Sequence, residues 1–342
     1  MTQFIFKFSN CSRAGLTAMT VLFLSFAALN ARATVFASGV AVAGPDRPAA
    51  VPEGYLITPS GYFHPSCVLR IEEGEKLLAD GRVEHGDGTV ETKAAVCAYP
   101  HYTPMGMLVT EDGRAGGAAV AAASETKQEE TTQPIIRGWL ESIYAITSTS
   151  YGEISATWTV PPQPSANDGQ TVFFFPGFED TNDWIAIVQP VLQWYAPGPW
   201  AVASWNCCLK GVVWESHPVK VSPGDTIVGT ITSMCKKGLS YCPEWKIISE
   251  DATTGKKTTL RKTPAAGQVW NWGFGAVLEV YGIGQCSDFP ANTSVEFTVQ
   301  LYDQNRQLIS SPGWIADPAA AGTSPDCNYG LNVTATQETV EY

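Results

Sequence analysis

The amino-acid sequence predicts an all-β protein, built as a sandwich of two antiparallel sheets. Short apolar or alternating runs recur from Ile135 onward, β-branched and aromatic residues dominate them, and Pro or Gly separates most of them. No window of about ten residues shows the i, i+3, i+4, i+7 apolar stripe of an amphipathic helix. These observations predict a sandwich that is preceded by a small, disulfide-closed β unit.

Composition excludes several other classes of protein. The chain has 342 residues, of which 44% are hydrophobic and 16% charged, and its formal net charge is −12. High aromatic content with few charged residues excludes a disordered tail, a collagen-like fibre and a long coiled coil. Because phosphate binding needs clustered Lys and Arg, we expect no nucleic-acid partner.

The first 33 residues have the features of a secretory signal peptide. Lys7 and Arg13 precede the mostly apolar stretch from Leu16 to Leu29, and Ala31-Arg32-Ala33 offers a small-x-small cleavage site. The apolar stretch is shorter than the ~20 residues that a membrane span needs. We therefore expect a secreted, extracellular protein with no membrane partner.

The remaining chain divides by composition into three parts. Residues 34–110 predict a small N-terminal β unit or propeptide, in which residues 40–60 are rich in Pro, Gly and Ala and predict a flexible leader. Residues 111–134 have low complexity and almost no large apolar side chain, as is typical of a linker. Residues 135–342 form the predicted β-sandwich catalytic domain.

Eight cysteines remain after the signal peptide, and an even number in an oxidising compartment predicts disulfides. The neighbours Cys207 and Cys208 would point to opposite faces of an extended strand, which predicts separate partners for them. The sequons at Asn292 and Asn332 predict a glycoprotein. Proximity favours two disulfide pairs, Cys67 with Cys97 and Cys235 with Cys242.

Few kinds of catalytic site are possible in the predicted sandwich, because its single histidine is His217. A Ser-His-Asp triad could use only that residue, no Gly-x-Ser-x-Gly motif accompanies it, and a zinc site would lack imidazole ligands. His217 is better explained as a solvent-facing turn residue. We expect no metal and no cofactor, so any hydrolytic chemistry must use carboxyl, amide or hydroxyl groups.

Polar residues stand inside two strongly apolar strands. Alternation puts Gln189 and Gln193 on one side of their strand, and Glu279 on the same side of its strand as Val277 and Tyr281. A buried carboxylate is unfavourable unless it is paired or hydrated, so these residues are either a functional site or structural polar groups with local partners. Pro190 follows Gln189 directly, which predicts a sheet edge or a bulge there.

Several short motifs resemble, in their order, those of the eqolisins, the fungal glutamic peptidases. The resemblance covers roughly residues 138–303. The motifs are Trp158-Thr-Val-Pro, Phe175-Pro-Gly-Phe-Glu-Asp, Ile187-Val-Gln189, Trp214-Glu215 followed by Pro218, the turn Pro-Gly-Asp-Thr-Ile, Leu278-Glu279-Val-Tyr, Phe289-Pro290 and Val295-Glu-Phe-Thr.

The resemblance implies a concanavalin-like sandwich with its active site on the concave sheet. The family's catalytic Gln and Glu would fall on Gln189 and Glu279, and its substrate contacts near Trp214 and Glu215. It implies a monomeric acid endopeptidase with a polypeptide substrate, in which the Glu activates a water molecule that attacks the peptide carbonyl.

Two other functions remain open at the level of sequence. A carbohydrate-binding, lectin-like module would use aromatic side chains to stack on sugar rings. A glycanase would need two acids ~5 to 9.5 Å apart, for which Glu279 and Glu215 are the nominated pair. The aromatic residues considered for sugar binding are Trp194, Tyr195, Trp200, Trp205, Trp270 and Trp272.

Overall fold

The computed structural model describes residues 41–44, 46–78, 80–92, 96–109, 135–182 and 186–342. The predicted signal peptide and linker lie outside the described residues. Strands of the N-terminal part are β1 (Leu56–Thr58), β2 (Gly61–Phe63), β3 (Val68–Ile71), β4 (Lys76–Leu77), β5 (Val83–Glu84), β6 (Val90–Glu91), β7 (His101–Tyr102) and β8 (Leu108–Val109).

Long strands dominate the rest of the described chain, as predicted. They are β9 (Ile136–Ile146), β10 (Tyr151–Thr159), β11 (Thr171–Glu179), β12 (Ile187–Tyr195), β13 (Ala201–Cys207), β14 (Val213–Ser216), β15 (Val219–Lys220), β16 (Thr226–Ser233), β17 (Glu244–Asp251), β18 (Lys256–Pro264), β19 (Trp272–Ile283), β20 (Ser294–Asp303), β21 (Ile315–Asp317), β22 (Gly330–Val333) and β23 (Gln337–Glu341). The helical segments of the described residues are short 3-10 turns at Pro65–Cys67, Leu209–Gly211 and Cys286–Asp288.

Two large sheets form the sandwich and confirm the predicted all-β class. A nine-stranded sheet has the order β21-β9-β19-β11-β12-β13-β14-β3, with β15 paired to β13, and a seven-stranded sheet has the order β18-β17-β16-β10-β20-β23-β22. The pairs within them are antiparallel apart from β14 with β3, which is parallel. The last strands, β21 to β23, extend both sheets beyond the region of motif resemblance.

Burial distinguishes the two large sheets. In the seven-stranded sheet, β16 and β17 alternate between buried and partly exposed residues, because one face packs on the core and the other faces solvent. In the nine-stranded sheet, β11 and β12 are buried on both faces. A further layer must therefore cover the face that looks away from the seven-stranded sheet.

That layer comes from the N-terminal part. Strands β1, β2, β7 and β8 form a four-stranded sheet, in the order β1-β2-β7-β8, which we call the cover sheet. Its apolar residues and those on the outer face of the nine-stranded sheet form one hydrophobic cluster, separate from the cluster between the two large sheets. The three layers are thus the seven-stranded sheet, the nine-stranded sheet and the cover sheet.

The prediction of a flexible leader over residues 40–60 is wrong, because Val42 already forms a bridge to Leu56 and Ala43 is buried. Val51 and the run from Tyr55 to Ile57 are buried, and β1 pairs with β2. The Pro, Gly and Ala content of the segment concealed these few large apolar residues, which are enough to hold it on the sandwich. The described residues of the N-terminal unit belong to the same compact unit as the sandwich.

Disulfides join Cys67 to Cys97 and Cys235 to Cys242, confirming both favoured pairs. The prediction of separate partners for Cys207 and Cys208 is wrong, because these two cysteines are bonded to each other. Strand β13 ends at Cys207, so Cys208 lies beyond the extended backbone on which the alternation rule depends. The remaining pair is Cys286 with Cys327.

Pro190 lies in an interior strand, so the prediction of a sheet edge is wrong. Strand β12 has neighbours on both sides, β11 and β13. The β11–β12 ladder pairs Phe174 with Leu192 and resumes at Phe178 with Val188, and the β11–β19 register shifts between Phe175 and Gly177. The alternative prediction, a bulge, is wrong as well, because β12 keeps one register with β11 on both sides of Pro190 and pairs Pro190 with Ser204 of β13.

Candidate active site

Gln189 and Glu279 lie on the same face of the nine-stranded sheet. Gln189 is on β12 and Glu279 on β19, with β11 between them. Val191 on β12 and Tyr281 on β19 share their parity and belong to the cluster under the cover sheet. Both candidate residues are fully buried. The sheet therefore holds an amide and a carboxyl group toward one shared layer, in which Gln193 lies level with Glu279 across Phe173 and Gln189 lies four residues further along β12.

Glu279 has no basic partner among its described contacts. The Tyr281 hydroxyl donates to Glu279 Oε1 at 2.6 Å, and within the described part of the chain Oε2 has no hydrogen-bond partner. Burial raises the pKa of Glu279 to about 8, the hydrogen bond from Tyr281 opposes that rise, and the nearby Glu179 adds to it. In this covered state burial therefore favours the neutral, protonated form of the carboxyl group.

Gln189 holds a peptide carbonyl. Its Nε2 donates to the Pro59 carbonyl oxygen at 3.1 Å, between residues 130 positions apart. Its Oε1 has no hydrogen-bond partner among the described residues, although it is buried. An unpaired buried acceptor is unfavourable, so this oxygen has the capacity to accept from a water or substrate group that reaches the site.

A second carboxyl group, Glu179, reaches the same cavity as Glu279. The cavity has a volume of about 1350 Å³, and its wall includes both carboxyl groups, Trp139, Pro59 and Ser60. Burial of its carboxyl raises the pKa of Glu179 to about 8, although the residue as a whole keeps some exposure. Sequence reasoning missed Glu179, yet it has the parity of Phe173 and could have been found from alternation along β11.

Glu215 lies at the end of a buried chain of polar groups. The Trp205 indole N–H donates to Gln193 Oε1 at 2.9 Å, and Gln193 Nε2 donates to Glu215 Oε1 at 3.3 Å. Arg70, on the paired strand β3, donates to Glu215 Oε2 from Nη2 at 2.6 Å and from Nε at 3.1 Å. Burial raises the pKa of Glu215 to about 7, and the Arg70 guanidinium acts against that rise.

Trp214 is not brought to the site. It belongs to the cluster between the two large sheets, whereas Glu215 faces the other way. Neighbours in a strand point to opposite faces, so the two nominated substrate contacts, Trp214 and Glu215, cannot both border one cleft through β14. Of the four predicted site residues, the structure puts Gln189, Glu279 and Glu215 on one face and Trp214 on the other.

The structure weakens the two other functions considered, a carbohydrate-binding module and a glycanase. Trp194, Trp200, Trp205 and Trp270 are buried at 2% exposure or less, so they fill the interior and offer no stacking surface for sugars. Glu215, nominated as the second acid of a glycanase, is held by Arg70. Tyr195 and Trp272, the other two aromatic residues considered for sugar binding, are partly exposed.

The predicted turn position of His217 is confirmed. Its side chain is 52% exposed, and its Nδ1 lies 2.8 Å from Glu72 Oε2. The described residues hold no group of three or more His, Cys, Asp or Glu side chains arranged to bind a metal ion. No helix among them is long and apolar enough to span a membrane.

Comparisons with solved structures identify similar folds. Scytalido-glutamic peptidase, solved with a peptide-based transition-state analogue, is 17% identical, and the match covers 61% of this chain and 100% of that one with a TM-score of 0.46. SCP-B, a member of the eqolisin family solved with a tripeptide, is 16% identical, with the same coverages and a TM-score of 0.45. Aspergilloglutamic peptidase from Aspergillus niger is 17% identical over 50% of this chain and 98% of that one, with a TM-score of 0.32.

No family model and no curated protein matches the sequence. At these identities and TM-scores the three solved structures do not assign a function to this chain. The residues of the site and their geometry have to carry the assignment.

Proposed function

We propose that this protein is a secreted acid endopeptidase of the glutamic class, with Gln189 and Glu279 as its catalytic residues. The observation that carries the proposal is that a buried amide already holds a peptide carbonyl on the sheet face that also bears a buried carboxyl group without a basic partner. A polypeptide is the substrate that such a site fits. Four disulfides in the described residues support secretion, and glycosylation at Asn292 and Asn332 belongs to the same proposal.

The proposed reaction uses the two groups in different steps. Ionised Glu279 takes a proton from a water molecule as the water oxygen attacks the scissile carbonyl carbon. Gln189 Nε2 donates to the carbonyl oxygen and holds it as it becomes an oxyanion, a contribution that in other enzymes is worth about 3 kcal/mol. Protonated Glu279 then gives its proton to the leaving amine nitrogen as the C–N bond breaks.

The pH dependence of the proposed reaction is set by the Glu279 carboxyl group. Glu279 must be ionised to take a proton from water, so kcat/KM falls as the pH drops below the pKa of this group in the working enzyme, and the proton that it later gives to the amine is the one it took from the water. Solvent reaching the site would bring that pKa down from about 8 toward the ordinary value of about 4.3, because burial is the main cause of the rise. Like charge on Glu179 repels the Glu279 carboxylate and so also raises the pKa of Glu279.

The test is cleavage of denatured casein from about pH 2 to about pH 7. It uses the wild type and the Gly61→Ala variant, in which an added Cβ would collide with the Tyr102 carbonyl and displace the hairpin over the site. Glu279→Gln should abolish cleavage in both, since it removes the base and keeps the shape, and Gln189→Ala should slow it by about a hundredfold or more. The matched control is Glu296→Gln, an exposed Glu-to-Gln change on β20.

Cleavage that persists in Glu279→Gln would contradict the proposal. So would the absence of cleavage in both the wild type and Gly61→Ala across the whole pH range. Loss of activity in Glu296→Gln as well would show that charge removal alone affects the assay.

A further inference from the structure

The tip of the β1–β2 hairpin contacts both candidate catalytic strands. The carbonyl of Pro59 accepts from Gln189 Nε2 on β12 at 3.1 Å. The ring of Tyr62 meets the ring of Tyr281 on β19 edge-on, with 5.4 Å between centroids, and Tyr281 donates to Glu279. One hairpin thus covers the amide and the carboxyl group together.

The Pro59 carbonyl occupies the position that the proposed reaction reserves for the scissile carbonyl. It accepts from the same N–H that would hold the oxyanion, so a substrate and the hairpin cannot occupy that amide at once. Pro59 and Ser60 also form part of the cavity wall beside Glu279, whereas Gln189 does not line the cavity. The hairpin tip therefore separates the amide from the open space.

An apolar contact holds the cover sheet in place. Val51, Leu56, Ile57, Tyr62 and Phe63 are buried against the outer face of the nine-stranded sheet. Exposed apolar patches of this kind are rare on soluble monomers unless they bind something, so the closed arrangement is the stable one. The cover sheet packs on residues of the nine-stranded sheet that include Phe173, Phe175, Val191, Trp205, Val277 and Tyr281.

The chain between the two halves of the cover sheet is built into the sandwich. Strand β3 pairs with β14 as a strand of the nine-stranded sheet, and its Arg70 is the countercharge of buried Glu215. Ile71, Leu77 and Val83 belong to the core between the large sheets. Removing this segment would leave a buried charge without its partner, which is strongly destabilising.

The junction between these two regions carries a disulfide. Residues 41–63 and 101–109 supply the cover sheet, and residues 68–91 supply the strands built into or packed on the sandwich. A disulfide joins Cys67 to Cys97. Cys67 follows the first half of the cover sheet, and Cys97 precedes the second half. Both ends of the cover are thus fixed at one place.

We propose that the cover sheet is a tethered, substrate-mimicking lid, which opens to admit a polypeptide but stays attached through β3 and the Cys67–Cys97 disulfide. The lid's blocking role rests on the proposed function of Gln189 and Glu279, whereas its tethering rests on β3 and the disulfide alone. A closed lid keeps substrate from the Gln189 amide and leaves Glu279 fully buried at the wall of the cavity. The N-terminal unit is accordingly a part of the working protein and not a leader that is discarded.

Two glycine variants in the lid test the opening. A Cβ at Gly61, where φ is +116°, would lie 2.1 Å from the Tyr102 carbonyl oxygen, so Gly61→Ala must displace the hairpin from β7. Gly54→Ala is the matched control, because Gly54 also has a positive φ, +81°, but nothing lies within 4 Å of its Cβ position. Neither residue belongs to the catalytic machinery.

The readout is labelling of the Glu279 carboxyl by a water-soluble carbodiimide and an amine, measured by mass spectrometry with Glu296 as internal reference. Gly61→Ala should raise Glu279 labelling at least about tenfold over the wild type, and Gly54→Ala should leave it near the wild-type level. Equal labelling in all three proteins overturns the lid. Increased labelling with no casein cleavage upholds the lid and overturns the proposed peptidase function.

A second variant covers the case in which Gly61→Ala does not fold. Arg137 on β9 donates from Nη2 to the Asp46 carbonyl and so joins the nine-stranded sheet to the chain that precedes β1. Arg137→Gln should also raise labelling of Glu279, by a smaller factor. Unchanged labelling in Arg137→Gln would count against the lid.

The tether is tested on the species that cleaves casein. Its mass under non-reducing conditions, followed by peptide mapping, should show residues 68–91 still present and the Cys67–Cys97 bond intact. An active species that contains no residue before position 135 overturns the tether.

Discussion

Glu279 and Glu215 are two buried carboxyl groups on one sheet face that differ in what they can do. Glu279 is held by a tyrosine hydroxyl and has an oxygen without a described partner, so it can exchange a proton with a water molecule. Glu215 is held by a guanidinium and an amide, so its oxygens are already used. The partner of each residue, rather than its type, separates a chemical role from a structural one.

We predict that Arg70→Met destabilises the protein by about 3–5 kcal/mol, because it leaves Glu215 buried beside no countercharge. The double variant Arg70→Met/Glu215→Gln should recover most of that loss, since no unpaired charge remains. Urea unfolding of the two variants and the wild type measures the effect. Equal stability of the single and double variants would show that the ion pair contributes little.

Glu179 should set the pH range of the reaction. Its carboxylate disfavours ionisation of Glu279, so Glu179→Gln should lower the pKa of Glu279 and move the acid limb of the kcat/KM profile down by about half to one pH unit. The profile is best measured in the Gly61→Ala background, with Glu296→Gln as the control. A limb that stays in place or moves up would mean that the two carboxyl groups do not interact in the open enzyme.

At the scale of elements, the crossing of β12 and β16 determines how closely the two large sheets approach. Pro190 lies in β12, where the ladder to β11 is interrupted, and Gly229 of β16 lies opposite it across the core. A Cβ at Gly229 would come within 2.6 Å of Pro190 Cγ and 2.9 Å of the Trp158 ring. The proline that looked out of place in the sequence is accommodated by a glycine on the facing sheet.

Gly229→Ala should therefore destabilise the sandwich by about 1–3 kcal/mol, through overpacking of a site that has no room for a methyl group. Gly86→Ala serves as the control, since its Cβ would meet nothing nearer than 4.0 Å. Thermal unfolding followed by near-ultraviolet circular dichroism measures both. Similar midpoints for the two variants would contradict the close approach of the sheets.

At the scale of the whole molecule, buried carboxyl groups make the fold suited to acid. Burial raises the pKa of Glu141, Glu179, Glu215, Glu279 and Glu338. A carboxyl group whose folded-state pKa lies above its unfolded value stabilises the fold fully below that unfolded value, about 4.3, and loses this contribution as the pH rises through the folded value. We expect the free energy of unfolding to fall from about pH 4 toward about pH 8.

Among these buried carboxyl groups, Glu338 should make the largest contribution to the pH dependence of stability. Both of its carboxyl oxygens are buried without a hydrogen-bond partner among the described residues, and burial raises its pKa well above the ordinary value. Glu338→Gln should raise the unfolding midpoint at about pH 8 by at least about 5 °C and should flatten its pH dependence, because no charge then develops in the core. Exposed Glu296→Gln should change neither, and an unchanged slope in Glu338→Gln would contradict the assignment.

The sequence by itself determined the fold class, the strands and, within each strand, which residues share a side with Gln189 or with Glu279. Alternation is a local property with a period of two residues, so it can be read from the chain without knowing its neighbours. The same rule would have separated Trp214 from Glu215 and found Glu179. It failed at Cys208, where the extended backbone had ended.

Only the tertiary structure decided what covers that face. The contact of Pro59 with Gln189 joins residues 130 positions apart, and the contact of Arg70 with Glu215 joins residues 145 positions apart. No local pattern records such pairings, because they depend on how whole strands order themselves within and upon a sheet. The side of its own strand on which each group lies was therefore predictable, whereas the shared layer and the hairpin over it were not.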